Sequence, residues 1–395
     1  MNSIEQVDIA GKRVLMRVDF NVPVDGSGNI TDTTRIKAHL RTIRYCIEKG
    51  AKLVLISHMG RPKGQRVDKL TLKPCAASLS GLLGKEVPFV EDCIGEKAEA
   101  AVAAMKPGDV VLLENLRFHI GDEKNDPEFA RDLARLCDVY IDDAFAVAHR
   151  KAASNSAITQ AVKSCAAGFL LKDEIDYFNK AMKDPARPLA AIIGGAKVSD
   201  KIGVLENLVD TVNMLIIGGG MAFTFLKAMG KEIGKSICEP DMLDKANSIM
   251  EKAAAKKVKI LLPVDCLVAD KAEAGATVNV CSIDSIPKDA FGLDIGPQTA
   301  VLFGNAVKEA KTIVWNGPMG MFELEAFSKG TFGLAKDVAA SGALSIIGGG
   351  DTDSAVHKAG VSDRISYIST GGGAFLELLE GKTMPAVEAL ETCGG

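Results

Sequence analysis

The stretch Leu189-Ala-Ala-Ile-Ile-Gly-Gly-Ala-Lys-Val-Ser-Asp-Lys201 constrains the fold more than any other. Its unbroken apolar lead, Leu189 to Ile193, suits a strand buried on both faces, as in a parallel sheet. Gly194 and Gly195 stop the run. Val198, Ile202, Leu205, Leu208, Val209 and Val212 then recur at helical spacing, which predicts a helix from near Ala196. Lys197 and Lys201 would share one side of its first turn. Two ammonium groups at the positive end of a helix dipole are unfavourable unless an anion completes the site. Solvated surface lysines would need no partner, but the glycine pair upstream favours the anion.

The first half of the chain alternates strand and helix patterns, with strands predicted at 13–18, 52–56, 87–90, 110–113 and 139–141. Asp19, Asn21, His58, Arg61, Arg117 and Arg150 each fall just past the C-terminal end of one of them. Arg35 lies in the first predicted helix, which starts near Thr33. Ligands of open parallel sheets bind at that strand edge. Arginines gathered there with a histidine would suit a small, multiply anionic ligand, because the guanidinium fork matches carboxylate and phosphate. Each arginine alone would be an ordinary ion-pair partner; the recurrence at successive strand ends is the signal.

From Ala166 to Asp184 the pattern is helical, closed by Pro185 and Pro188, and reads as an inter-domain connector. The second half repeats the alternation with glycine in place of arginine. Predicted strands at 214–217, 343–347 and 365–368 end in Gly218-Gly219-Gly220, Gly348-Gly349-Gly350-Asp351-Thr352 and Ser369-Thr370-Gly371-Gly372-Gly373. The strand at 312–314 ends in Trp315-Asn316-Gly317-Pro318, with Glu323 beyond it. The strand at 259–262 ends in Pro263-Val264-Asp265, and 293–297, including Gly296, reads as a loop. Such glycines let the backbone approach a ligand and aim N–H groups at a phosphate, which predicts a nucleotide-sized occupant. Asp351 is either a helix N-cap or a carboxylate for Mg2+ on nucleotide phosphates.

The 395 residues suffice for two domains with full cores. A formal net charge of −4, with no Lys/Arg block, argues against nucleic acid. The nine cysteines are scattered and form no C-x-x-C, so they are expected to be reduced thiols of a cytoplasmic protein. No apolar run is long enough for a membrane span, and no signal peptide is expected. The P-loop pattern is absent: Gly230 to Ser236 is one residue short and follows a helical pattern. The dinucleotide fingerprint fails at Phe223, and no hydrolase elbow, zincin or protein-kinase signature occurs. The non-enzymatic alternative is a two-lobed small-anion binding protein without turnover.

Taken in order, the chain resembles the phosphoglycerate kinase family over nearly its whole length. The resemblance rests on Arg17-Val-Asp-Phe-Asn-Val-Pro23, His58-Met-Gly-Arg-Pro62, Glu114-Asn-Leu-Arg-Phe118, Asp142-Asp-Ala-Phe145 and Ala148-His-Arg150. It continues through Gly194 to Lys201, Gly218 to Phe225, Leu261 to Asp265, Val314 to Pro318, Gly348 to Thr352 and Ser369 to Gly373.

The resemblance implies an α/β protein of two doubly wound parallel-sheet (Rossmann-like) domains joined by a long helix and bending at a hinge. The implied domains are 1–165 for phosphoglycerate, 166–185 for the helix, 186–375 for the nucleotide, and 376–395 returning to the first domain. It implies reversible phosphoryl transfer between 1,3-bisphosphoglycerate with ADP and 3-phosphoglycerate with ATP, in a cytoplasmic monomer. Asp19, Asn21, Arg35, His58, Arg61, Arg117 and Arg150 would hold the phosphoglycerate. Lys197, Lys201, Gly218, Gly219, Gly296, Glu323, Gly349, Gly350, Asp351 and Thr352 would hold the nucleotide, with Asp351 on Mg2+. Arg35, Lys197 and Lys201 would be the catalytic cations. Ala146-Val147, Lys151-Ala152 and Thr383 to Ala386 depart from the family pattern at positions outside the implied ligand contacts.

Overall fold

Six short strands build the first sheet: β1 (Arg13–Arg17), β2 (Lys52–Ile56), β3 (Phe89–Val90), β4 (Val110–Leu113), β5 (Val139–Asp142) and β6 (Cys165–Ala167). They lie in the order β3-β4-β2-β1-β5-β6, and every pairing is parallel. Its inner strands are continuous apolar runs because helices cover both faces; β4 and β5 are buried throughout. Val14, Leu53 and Val139 sit side by side in register.

The second sheet comprises β7 (Leu189–Ile193), β8 (Met214–Ile217), β9 (Lys259–Leu261), β13 (Thr312–Asn316), β14 (Leu344–Gly348) and β15 (Tyr367–Ile368). Its order is β15-β14-β13-β7-β8-β9, again parallel throughout. Both sheets are doubly wound. The direction of winding reverses beside the first strand of each, between β1 and β5 and between β7 and β13. Those are the places where an open α/β sheet offers a crevice to a ligand.

The computed structural model describes residues 1–393. The chain forms two compact units, one from Met1 to Ile175 with the chain from Thr383 onward, the other from Asp176 to Lys382. The helix Phe169–Met182 crosses from one to the other. At its start Arg41 bonds Asp173 at 2.9 Å and lies over the Phe169 ring. Further along, Tyr177 stacks on Tyr367 and Phe178 meets Phe375 edge-on. No helix among the described residues is long and apolar enough to cross a membrane.

Several local expectations are corrected. Strand β6 lies at the start of the segment read as helical; three residues are too few to show a period. The single helix expected from near Thr33 is two, Thr34–Ala38 and Leu40–Glu48, broken at His39. The His39 ring is fixed between Asp143, at 2.8 Å, and the Asp19 amide, at 3.0 Å. Residues 293–297 are not a loop. They overlap β12 (Phe291–Ile295), which with β10 (Asp265–Ala269) and β11 (Val278–Ser282) makes a small antiparallel sheet. The expectation of nine free thiols also fails: Cys165 is disulfide-bonded to Cys393, with Cα atoms 6.2 Å apart. Their 228-residue separation hides the pair from any spacing rule. The tail helix Pro385–Glu391 brings them together by packing on β6, and Ala386 N–H donates to Ala148 O.

Candidate active site

The polar residues that end β1 and β2 converge with the first helix. Arg35 donates to Asp19 Oδ2 at 2.9 Å and to the Asn21 carbonyl at 3.0 Å. Asn21 Oδ1 accepts from Gly60 N–H, tying the β1 and β2 loops together. Asp19 and His58 are buried, with Nδ1 of His58 3.8 Å from Asp19 Oδ1. Arg117, also buried, donates to Gly60 O at 2.7 Å and approaches Glu123 at 3.4 Å. Burial, then the charges of Arg17, Arg117, Arg150 and Arg35, hold His58 well below its ordinary pKa, so it is neutral at pH 7. Its Nδ1 faces Arg17 Nη2 at 3.1 Å. A guanidinium can only donate, so Nδ1 accepts and Nε2 carries the proton.

Five of the expected residues, Asp19, Asn21, Arg35, His58 and Arg117, are thus linked by hydrogen bonds or close charges, and Arg150 acts on the same histidine. Arg61 is exposed on the β2 loop and takes no part in those contacts. Sequence reasoning missed Arg17 as a site residue. It is buried at the end of β1, where it bonds His58, the Ser154 hydroxyl and the Val18 carbonyl. A charged residue closing a buried apolar run was the available signal. His39 and Asp143, which fix the Asp19 backbone, were missed too.

In the second unit the reversal between β7 and β13 is filled by Lys201. Its Nζ donates to Gly194 O, just past β7, at 2.6 Å and to the carbonyl of Asn316, the last residue of β13, at 3.2 Å. Burial pushes its pKa down to about 8, against the pull of Asp351 and Asp200. The helix expected from Ala196 begins later. A 3-10 turn, Ser199–Lys201, precedes the helix Ile202–Leu208, so Lys197 and Lys201 do not share a first helical turn. Glu239 imposes this by accepting from both Ser199 N–H and its hydroxyl. Lys197 is exposed, within electrostatic reach of Glu239.

Several of the glycine N–H groups are bonded to neighbouring strand ends. Gly194, Gly195 and Gly219 give their N–H groups to Asn316, Pro318 and Met319 carbonyls, and Gly218 donates to Ile193. They knit the ends of β7, β8 and β13 and leave no N–H for a phosphate. Gly219 has φ +69°, and a Cβ there would lie 2.6 Å from Gly195 N and O. At Gly296 the following helix, Pro297–Glu309, is already capped: Asp265 accepts from Gln298 N–H and Thr299 N–H.

The free helix ends are elsewhere. Gly350–Lys358 and Gly372–Leu379 both start without a side-chain cap, and a Cβ on Gly372 would lie 3.2 Å from Gly349 Cα. Their first-turn N–H groups lack intrahelical partners and suit an anion. Gly372 was not among the expected nucleotide residues. Thr352 Oγ1 accepts from Gly317 N–H, joining this helix to the end of β13. Asp351, Glu323, Gly195 and Gly219 line one cleft of about 600 Å3. Ile295 and Leu324 continue it into a second, largely apolar cleft of about 890 Å3 that includes Gly296, Val278 and Val280.

One parallel-sheet unit with an arginine–histidine anion site, and another with a lysine at a glycine-lined cleft, define a phosphotransferase acting on a small anionic substrate. Comparison with known proteins makes this specific. The family model described as Phosphoglycerate kinase matches residues 4–382, and the chain belongs to the phosphoglycerate kinase family. Phosphoglycerate kinases from Geobacter sp. (strain M21) and Citrifermentans bemidjiense are each 57% identical to it over 392 residues, covering 99% of this chain and 98% of theirs. The solved phosphoglycerate kinase of Coxiella burnetii superimposes with a TM-score of 0.92 at 45% identity, covering 100% of this chain and 99% of that one. That of Pyrococcus horikoshii OT3 gives 0.83 at 33% identity, with 99% and 98% covered.

Proposed function

We propose that the chain interconverts 1,3-bisphosphoglycerate plus ADP with 3-phosphoglycerate plus ATP by direct in-line transfer. The observation that carries this reading is the presence of two half-sites, one in each unit, each at the C-terminal strand ends of its own parallel sheet. Arginines around a neutral histidine serve the acid, and Lys201 with two uncapped helix ends serves the nucleotide.

The acceptor in the ATP-consuming direction is a carboxylate, ionised at neutral pH, so no general base is required. What remains is alignment and neutralisation of the transferring PO3 group. Arg35, Arg61, Arg117 and Arg150 bind the acid, and His58 Nε2–H donates a hydrogen bond to it. Arg35 and Lys197 face the charge that develops in transfer. Lys201 and the N–H groups at Gly349 to Thr352 and Gly372 hold the nucleotide phosphates, with the base in the apolar cleft beside Gly296. Asp351 is an exposed carboxylate on the cleft wall, beside an uncapped helix end, and Glu323 lines the same cleft. That suits Mg2+, which takes one or two protein carboxylates and completes its shell with phosphates and water. Bound there, it would neutralise phosphate charge.

Because the half-sites belong to different units, turnover requires closure once both substrates are bound. A monomer in the cytoplasm completes the reading, and there Cys165 and Cys393 would exchange with a reducing thiol pool. The test is an assay of ATP plus 3-phosphoglycerate coupled to NADH oxidation through a dehydrogenase that consumes the acyl phosphate. Binding of the phospho-acid without ATP consumption would instead support the two-lobed binding protein.

A further inference from the structure

Asp92 and Cys93 follow β3, and His119 follows the 3-10 turn Leu116–Phe118. One donor atom from each lies within 4.8 Å of the others. His119 Nε2 is 2.7 Å from Asp92 Oδ1, and the imidazole leans on Phe129 with ring centroids 5.5 Å apart. Cys93 is fully buried, and its Sγ makes no hydrogen bond among the described residues. Only its N–H is bonded, to Asp92 Oδ1 at 2.8 Å. Burial, with Asp92, Asp122 and Glu114 nearby, pushes the thiol well above its ordinary pKa. None of the three side chains contacts the anion site.

We propose that Asp92, Cys93 and His119 form a site for a thiol-affine divalent cation, Zn2+ being the best match, with water as fourth ligand. A thiolate, an imidazole and a carboxylate are the donors of a borderline-soft ion, whereas Mg2+ prefers oxygen alone. Tetrahedral bonds of about 2.0–2.3 Å place donors roughly 3.3–3.7 Å apart, so the cluster needs only small side-chain shifts. Asp92 and His119 are partly exposed and leave an approach open, while Cys93 forms the floor. Binding balances as an exchange of a proton for the metal. The Cys93 S–H bond breaks, its proton goes to solvent, and a sulfur–metal bond forms. The hydrogen bond between Asp92 and His119 gives way to two metal bonds, and the proton that Nε2 lent to it moves to Nδ1 through solvent, so the neutral imidazole binds through Nε2. No electron moves. The carboxylates that disfavour a bare thiolate favour a dication in the same place.

The experiment titrates the full chain, freed of metal and kept reduced, with Co2+. The expected result is one equivalent bound, with a thiolate-to-cobalt charge-transfer band that Zn2+ displaces and Mg2+ with ADP does not. The affinity should rise about tenfold per pH unit while the thiol is protonated. Cys93→Ser should remove the band and His119→Gln should weaken binding at least tenfold. Cys281→Ser, which breaks a close thiol pair (Cys266 and Cys281 sulfurs 3.9 Å apart), and Cys393→Ser, which removes the thiol that reduction frees beside Cys165, should each leave it intact. Absence of the band from the parent chain, its survival in Cys93→Ser, or its loss in Cys281→Ser or Cys393→Ser would overturn the proposal. Should Cys93→Ser not fold, undiminished Co2+ affinity in His119→Gln overturns it alone.

Discussion

Lys201 is held in a poor place for a charge. Its amine is taken from water and given two carbonyl oxygens, and that burial pushes its pKa down to about 8. The unfolded chain keeps that lysine protonated to about pH 10.4, so between about 8 and 10.4 the unfolded state binds more protons. Lys201 therefore costs stability below pH 8, and the cost fades as pH rises through that window. Nucleotide binding runs the other way, because a phosphate favours the ammonium. Calorimetry at pH 8 to 8.5 in buffers of different ionisation enthalpy should show proton uptake with ADP, absent in Lys201→Met. Lys197 is exposed and makes no such contacts, so its ammonium is available to a moving charge. Lys197→Ala should lower kcat by about 10²–10³ with little change in KM; steady-state kinetics showing the reverse would make it a ground-state binder.

At the scale of elements, the glycine junctions hold strands together before they hold anything else. In Gly219→Ala the new methyl group would sit against the Gly195 backbone in a left-handed conformation. A loss of about 1–3 kcal/mol is expected from conformation alone, with more from the clash, read by denaturant melts. The KM for ADP should rise with it, since the β7, β8 and β13 ends move together. The sequence made the parallel strands and their polar ends legible, because buried runs and abrupt stops are local signals. Asp19, Asn21, His58 and Arg117, which follow such stops, lie together with Arg35 from the first helix, whereas Arg61 takes no part in their contacts. What was not legible depends on partners far along the chain. Glu239 decides how the segment after Gly195 turns, and Asp265 decides that the helix after Gly296 arrives capped. The exposed edge strand β11, with all five residues half-buried or open, lacks the apolar run that betrayed the others. Arg17 read as part of the strand at 13–18, and its bond to His58 crosses 41 residues.

For the whole molecule, the proposed function gives each unit half of the chemistry and its own ligand crevice. The acid and the nucleotide should therefore bind independently when the other is absent, while transfer should need both. Small-angle scattering should show the radius of gyration falling only with both substrates bound; an unchanged radius would refute closure. The route of the chain adds a consequence of its own. It leaves the first unit at Ile175, completes the second, and comes back at Thr383, while the bond from Cys165 to Cys393 spans the whole excursion. A single proteolytic cut anywhere in that excursion would leave two fragments travelling as one on a denaturing gel until reductant is added. In Cys393→Ser they would part at once, with or without it.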